Sequence, residues 1–219
     1  MDYDLGIDVS SNQWLADRRG KIDFTKPPDF SKPGKLGARF AIVRATIGNY
    51  RTDPCFIENY LGYLDAGLEV YIYFVAVPAD RYGKVITAAQ HIEYLWKALL
   101  SLPSSRQPNP IAIDCELHCN QTPQVISALI GQLAIAQPSM IYSNAWFWNK
   151  HVLRSTRWKN YKLWVANYTT RDQPAMPRDW KSWYIWQYSA DRPPNLKGKD
   201  FGVYSSSIDL NHRKSAWQG

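Results

Sequence analysis

An α/β fold, an irregular TIM-like (β/α) barrel with fewer helices in its C-terminal part, is predicted by three observations. Short apolar runs that stop at a carboxylate recur along the chain, at Leu5-Gly6-Ile7-Asp8, Ile111-Ala112-Ile113-Asp114-Cys115-Glu116 and Ser207-Ile208-Asp209. Early in the chain such runs alternate with helical periodicities, which calls for a mostly parallel sheet. Late in the chain strand-like runs follow one another across loops with no full helix between them, a departure from an ideal eightfold repeat. Closing such strands into a barrel brings residues 8, 114, 116 and 209 to one mouth, where barrel folds keep their chemistry.

The elements follow in order. The run through Ile7 is a first strand, and the turn-rich stretch 17–37, with Pro27-Pro28 and Ser31-Lys32-Pro33-Gly34, is a long loop. Residues 40–45 form a second buried strand. Apolar positions Phe56, Ile57, Tyr60, Leu61 and Leu64 predict a helix within 54–66, closed by Gly67. A third strand covers 70–77. Val85, Ala88, Ala89, Ile92, Leu95, Trp96 and Leu99 mark an amphipathic helix over 85–100, ended near Pro103. Residues 111–116 are strand four, and a helix over 123–136 takes Thr122 as its N-cap. The last pieces are strands at 140–143, 163–167 and 184–188, with a short helix at 146–153.

Composition narrows the class. A chain of 219 residues, with 45% hydrophobic and 21% charged residues, fits one globular domain over 1–219. No apolar stretch approaches the roughly 20 residues that span a bilayer, so no membrane partner is expected. Met1-Asp2-Tyr3-Asp4 is acidic and runs straight into the first strand, so no cleavable signal peptide is expected. The excess of 26 Lys and Arg over 19 Asp and Glu, +7, suits a polyanionic partner. The basic residues are scattered and do not interleave with aromatics in a nucleic-acid motif, so an anionic cell wall is favoured over nucleic acid. Ten Trp and 14 Tyr agree, since sugar rings present flat C–H faces to aromatic side chains, although such residues also fill cores.

Three cysteines, Cys55, Cys115 and Cys119, are an odd number and no disulfide framework. Cys115, Glu116, His118 and Cys119 lack zinc spacing, and no second ligand pair stands elsewhere, so neither a metal nor a cofactor is expected. Each Asp taken alone has a simpler reading as a turn or helix cap. Asp114 with Glu116 does not, because a second acid two positions along a strand has no capping role. On one strand face the two lie about 6.6 Å apart along the backbone. Glycoside cleavage needs such a pair, one acid to protonate the leaving oxygen and one carboxylate to support the positive charge. Two acids in a partly apolar mouth do not both ionise cheaply, so one keeps its proton near neutrality.

The segments resemble glycoside hydrolase family 25, the lysozymes, over nearly the whole chain. Gly6-Ile7-Asp8-Val9-Ser10 with Gln13 is similar to that family's opening strand, and 40–48 to its second. Ile113-Asp114-Cys115-Glu116 is similar to its acid pair, 141–144 to its fifth strand, and 163–168 to its sixth. Trp186-Gln187-Tyr188-Ser189 followed by Ile208-Asp209-Leu210-Asn211 is similar to its ending. The third strand departs, lacking the Tyr-His-Phe the family often shows.

The resemblance implies cleavage of the β-1,4 bond between N-acetylmuramic acid and N-acetylglucosamine in peptidoglycan, outside the cell, by a monomer. Release by a phage, as an endolysin, or loss of a leader would account for the missing signal. It also implies Glu116 as proton donor, and retention through the substrate's own acetamido group with Asp114 holding that amide. Asp8 and Asp209 are expected to tune Glu116, and Asp114 and Asp209 both remain candidates for stabilising the oxocarbenium. Arg44, Tyr73, Tyr142, Trp164, Gln187 and Tyr188 are expected to bind sugar. Trp164 reads equally as a core aromatic. Arg44 must be paired, with a site acid or with a surface carboxylate. The alternatives are a non-catalytic wall- or chitin-binding barrel and a chitin-type glycosidase.

Overall fold

The structure, a computed structural model, describes residues 3–106, 110–136, 139–189 and 196–214, so Met1 and Asp2 lie outside it. Its strands are β1 (Asp4–Val9), β2 (Ala38–Ile47), β3 (Arg51–Thr52), β4 (Glu69–Val75), β5 (Ile111–Asp114), β6 (Ser139–Ser143), β7 (Lys162–Ala166), β8 (Ile185–Ser189) and β9 (Asp209–Arg213). The helices are α1 (Lys32–Lys35), α2 (Phe56–Asp65), α3 (Ala88–Leu99), α4 (Thr122–Ala136) and α5 (Ala145–His151). The sheet runs β1-β9-β8-β7-β6-β5-β4-β2-β3, and β1 also pairs with β2, which closes an eight-stranded barrel and leaves β3 outside. From β1 through β8 the barrel pairs are parallel, as the alternating elements predict.

β9 is the exception, antiparallel to both β8 and β1. Asp209 therefore opens its strand, where a run ending in an acid was expected. Because β9 runs in reverse, its start lies at the mouth formed by the ends of the parallel strands. Strand four also stops sooner than 116, since only Ile111–Asp114 pair with both β4 and β6. The helix expected from 85 starts at Ala88, where Thr87 and Gln90 form a capping box and Val85 bridges Ala79.

Two apolar layers result from the period-two alternation of the strands. Outward residues such as Ala41, Val43, Ile72, Phe74, Ile113 and Val165 pack under α2, α3 and α4 in the larger core. Inward residues Phe40, Ile42, Tyr71, Ala112, Met140, Tyr142, Trp164 and Ile185 fill the barrel. Gly6 is required here, because a Cβ on it would lie 2.2 Å from the Phe40 ring. Below that layer Arg213 lies 4.7 Å over the Phe40 ring and pairs with Asp4 at 2.7 Å and with Glu69. The lower end is thus plugged by charge and aromatics, leaving the opposite end open. Among the described residues no helix is long and apolar enough to cross a membrane.

Candidate active site

Asp8 sits near the end of β1, Asp114 ends β5, and Glu116 follows two residues later. Asp209 faces Asp8 across the β1–β9 ladder. All four line one cavity of about 400 Å³ at the open mouth, together with Arg44, Tyr73, Tyr142, Trp164 and Gln187. Tyr188 is the expected site residue that does not reach this cavity. Alternation turns it to the outer face of β8, where it stacks on His212 with ring centroids 4.0 Å apart.

Hydrogen bonds fix the floor. Asp8 Oδ2 accepts from Gln187 Nε2 at 2.9 Å and from Asn211 Nδ2 at 2.8 Å. Asn211 Oδ1 in turn accepts from Trp164 Nε1 at 2.8 Å, so Trp164 is both buried core and cavity floor. Gln187 Oε1 accepts from the hydroxyls of Tyr142 and Tyr168, each at 2.9 Å. A single amide therefore ties β8 to β1, β6 and the loop after β7. The strand end that carries the acid pair is pinned as well: Cys115 N–H donates to Tyr142 O at 2.9 Å, and Ser143 Oγ donates to Cys115 O at 2.8 Å.

Electrostatics follow from that packing. Burial raises the proton affinity of Asp8, which hydrogen bonds from Asn211, Gln187 and Asp209 oppose. Asp209 is thus both the ladder partner of Asp8 and one of the groups that meet its carboxyl. Asp114 is pushed well above the usual carboxylate range by burial first, then by Glu116 and Asp8, with Arg44 pulling the other way. Its Oδ1 is buried and has no hydrogen-bond partner among the described residues. Glu116 belongs to an exposed loop, yet protein surrounds its carboxyl enough to raise its proton affinity. Hydrogen bonds from Tyr142 and Asn144 oppose that rise, and the charge of Asp8 adds to it. Burial therefore raises the proton affinity of Asp8, Asp114 and Glu116 together, the direction that acid catalysis requires.

The comparisons agree with this architecture. The family model for Glycosyl hydrolases family 25 matches residues 7–195. The chain belongs to that family. This family 25 glycoside hydrolase shares its fold with a bacterial lysozyme from Streptomyces coelicolor, at TM-score 0.76 and 21% identity over 99% of this chain and 94% of that one. A family GH25 lysozyme from Aspergillus fumigatus superposes at TM-score 0.74 and 23% identity, covering 98% of this chain and 95% of the other. The catalytic domain of an endolysin from a bacteriophage of Listeria monocytogenes gives 0.64 and 18%, with 98% and 94% covered. No curated protein matches the chain significantly.

Within this family 25 hydrolase, Arg44 lines the cavity but is paired with neither kind of acid expected. Its Nε donates at 2.9 Å to Asp53 Oδ2, a fully buried side chain that stands behind the cavity wall. Asp53 also accepts from the Ser11 and Cys55 backbone N–H groups at 3.1 and 3.0 Å. Three donors make Asp53 an anchor for the cation and for the loop after β1. The sequence reading passed over it because an Asp before Pro54 looks like a turn residue. Asn211, Asn144 and Tyr168 were passed over too, although all three stand in the quoted family-like segments. Their signal was position: each lies within two residues of a strand end at the mouth. Among the described residues no group of three His, Cys, Asp or Glu side chains is arranged to hold a metal ion.

Proposed function

We propose that this hydrolase is a lysozyme that cleaves the β-1,4 bond between N-acetylmuramic acid and N-acetylglucosamine, with retention of configuration through the substrate's acetamido group. The observation that carries the reading is the pairing of two unlike carboxyls. Glu116 stands at the solvent-facing mouth, where a glycosidic oxygen enters, and Asp114 lies deep with an unpartnered oxygen. Glu116 gives its proton to the leaving oxygen as the acetamido carbonyl oxygen attacks the anomeric carbon. Asp114 accepts the acetamido N–H and stabilises the oxazolinium that forms. Glu116, now a carboxylate, takes a proton from the water that opens the ring, which restores both groups.

Asp8 and Asp209 tune the proton affinity of Glu116 and position the sugar, and Asp53 holds the Arg44 guanidinium at the wall. The lysozyme descriptions of the Streptomyces and Aspergillus neighbours support peptidoglycan as substrate. The +7 charge supports attraction to an anionic wall outside the cell. Every site residue comes from one barrel, which supports a single catalytic domain acting as a monomer.

Product analysis tests the bond and the route. Digestion of peptidoglycan followed by borohydride reduction is expected to yield muropeptides ending in muramitol, with the β anomer appearing first by NMR before reduction. Fragments ending in reduced N-acetylglucosamine, or cleavage of chitin alone, contradict the assigned bond. A first-formed α anomer contradicts retention.

A further inference from the structure

The catalytic cavity does not end at Glu116. A second cavity of about 470 Å³ shares Glu116, Tyr142 and Tyr168 with it and continues outward between the start of α5 and the end of β7. Ala145, Ala166 and Ala175 leave its width open, and Trp146 and Tyr168 form its aromatic surface. Trp146 is 64% exposed, an unusual state for the largest apolar side chain. Its indole is nevertheless held: Lys150 Nζ lies 4.9 Å from the ring centroid and His151 packs against it edge-on at 5.7 Å. Asn144 caps α5 with its Oδ1, accepting the Phe147 N–H at 2.8 Å, and its amide also meets Glu116.

A proton donor at the junction of two cavities has a geometric consequence. The bond it cleaves must cross that junction, with one sugar on each side. The inner cavity, with the unpartnered Asp114 oxygen, takes the sugar whose anomeric carbon reacts. The outer cavity is left for the leaving group.

We propose that the outer cavity is the leaving-group site and that Trp146 is the platform on which the departing N-acetylglucosamine ring stacks. The assignment rests on the lysozyme reading for the order of the sugars. Stacking on an exposed indole already contacted by Lys150 and His151 adds affinity, because few rotatable bonds need to be ordered. It also aligns the glycosidic oxygen with Glu116, so its loss acts only on substrates that carry a leaving sugar.

The test compares parent, Trp146→Ala and Trp146→Phe on two substrates with the same donor disaccharide: peptidoglycan strands, and the disaccharide β-fluoride, whose leaving group has no ring. Trp146→Ala is expected to lose roughly five- to tenfold in kcat/KM on peptidoglycan, mostly through KM, and less than about twofold on the fluoride. Trp146→Phe is expected to recover most of the loss. Equal losses on both substrates, or no loss on peptidoglycan, overturn the assignment. A parent enzyme that hydrolyses the fluoride but leaves peptidoglycan intact contradicts the lysozyme reading itself, an outcome separate from any behaviour of Trp146.

Discussion

Asp114 carries a burial cost that depends on pH. A carboxyl whose folded-state proton affinity is raised binds more protons folded than unfolded between its ordinary pKa and the raised one. Stability therefore falls as pH climbs through that window. Asparagine keeps the shape and removes the ionisation. Asp114→Asn is expected to be more stable than the parent at pH 7, by roughly 1 kcal/mol, with the difference shrinking through pH 4 and vanishing below about pH 3, where the parent is protonated folded or unfolded. Thermal unfolding across that range checks it, and a variant less stable than the parent at pH 7 contradicts the burial argument. The acid pair itself was legible in the sequence because an apolar run that ends in two acids has no simpler reading, although the strand stops at Asp114. Asp53 was not, since nothing local separates an anchor that takes three hydrogen bonds from a turn residue. Tyr188 was misplaced for a different reason: strand alternation alone sets it opposite Gln187, so the two cannot share a cavity.

At the scale of the element, the parallel strands were readable from apolar runs because both of their faces are buried, one by helices and one by the barrel interior. The direction of β9 was not readable. It depends on the course of the preceding loop, and an apolar run looks the same in either direction. The mouth still gathers its acids because reversing β9 also moves its acid from the strand end to the strand start. The interior of the barrel leaves less freedom than its mouth. Gly6→Ala drives a methyl group into the Phe40 ring, which is fully buried and also packs against Tyr71 and the Arg213 guanidinium. The expected cost is about 3 kcal/mol, read as a lower midpoint in urea with an unchanged slope. A midpoint equal to the parent's contradicts the tight packing of β1 on β2.

For the molecule as a whole, function depends on closure. β1 meets β9 and β2 together, so residues from the beginning, middle and end of the described chain stand around one cavity. One end of the barrel is filled by Arg213 and its partners, and the other is left for a sugar chain with two cavities meeting at Glu116. Kinetics of Glu116→Gln on peptidoglycan measure that arrangement most directly, because the amide keeps the size of the side chain and removes its transferable proton. The expected result is a fall in kcat of about a hundredfold to ten-thousandfold, with wall binding and thermal unfolding unchanged. Release of muropeptides within about threefold of the parent rate contradicts the role of Glu116 as proton donor, and with it the mechanism built on this site.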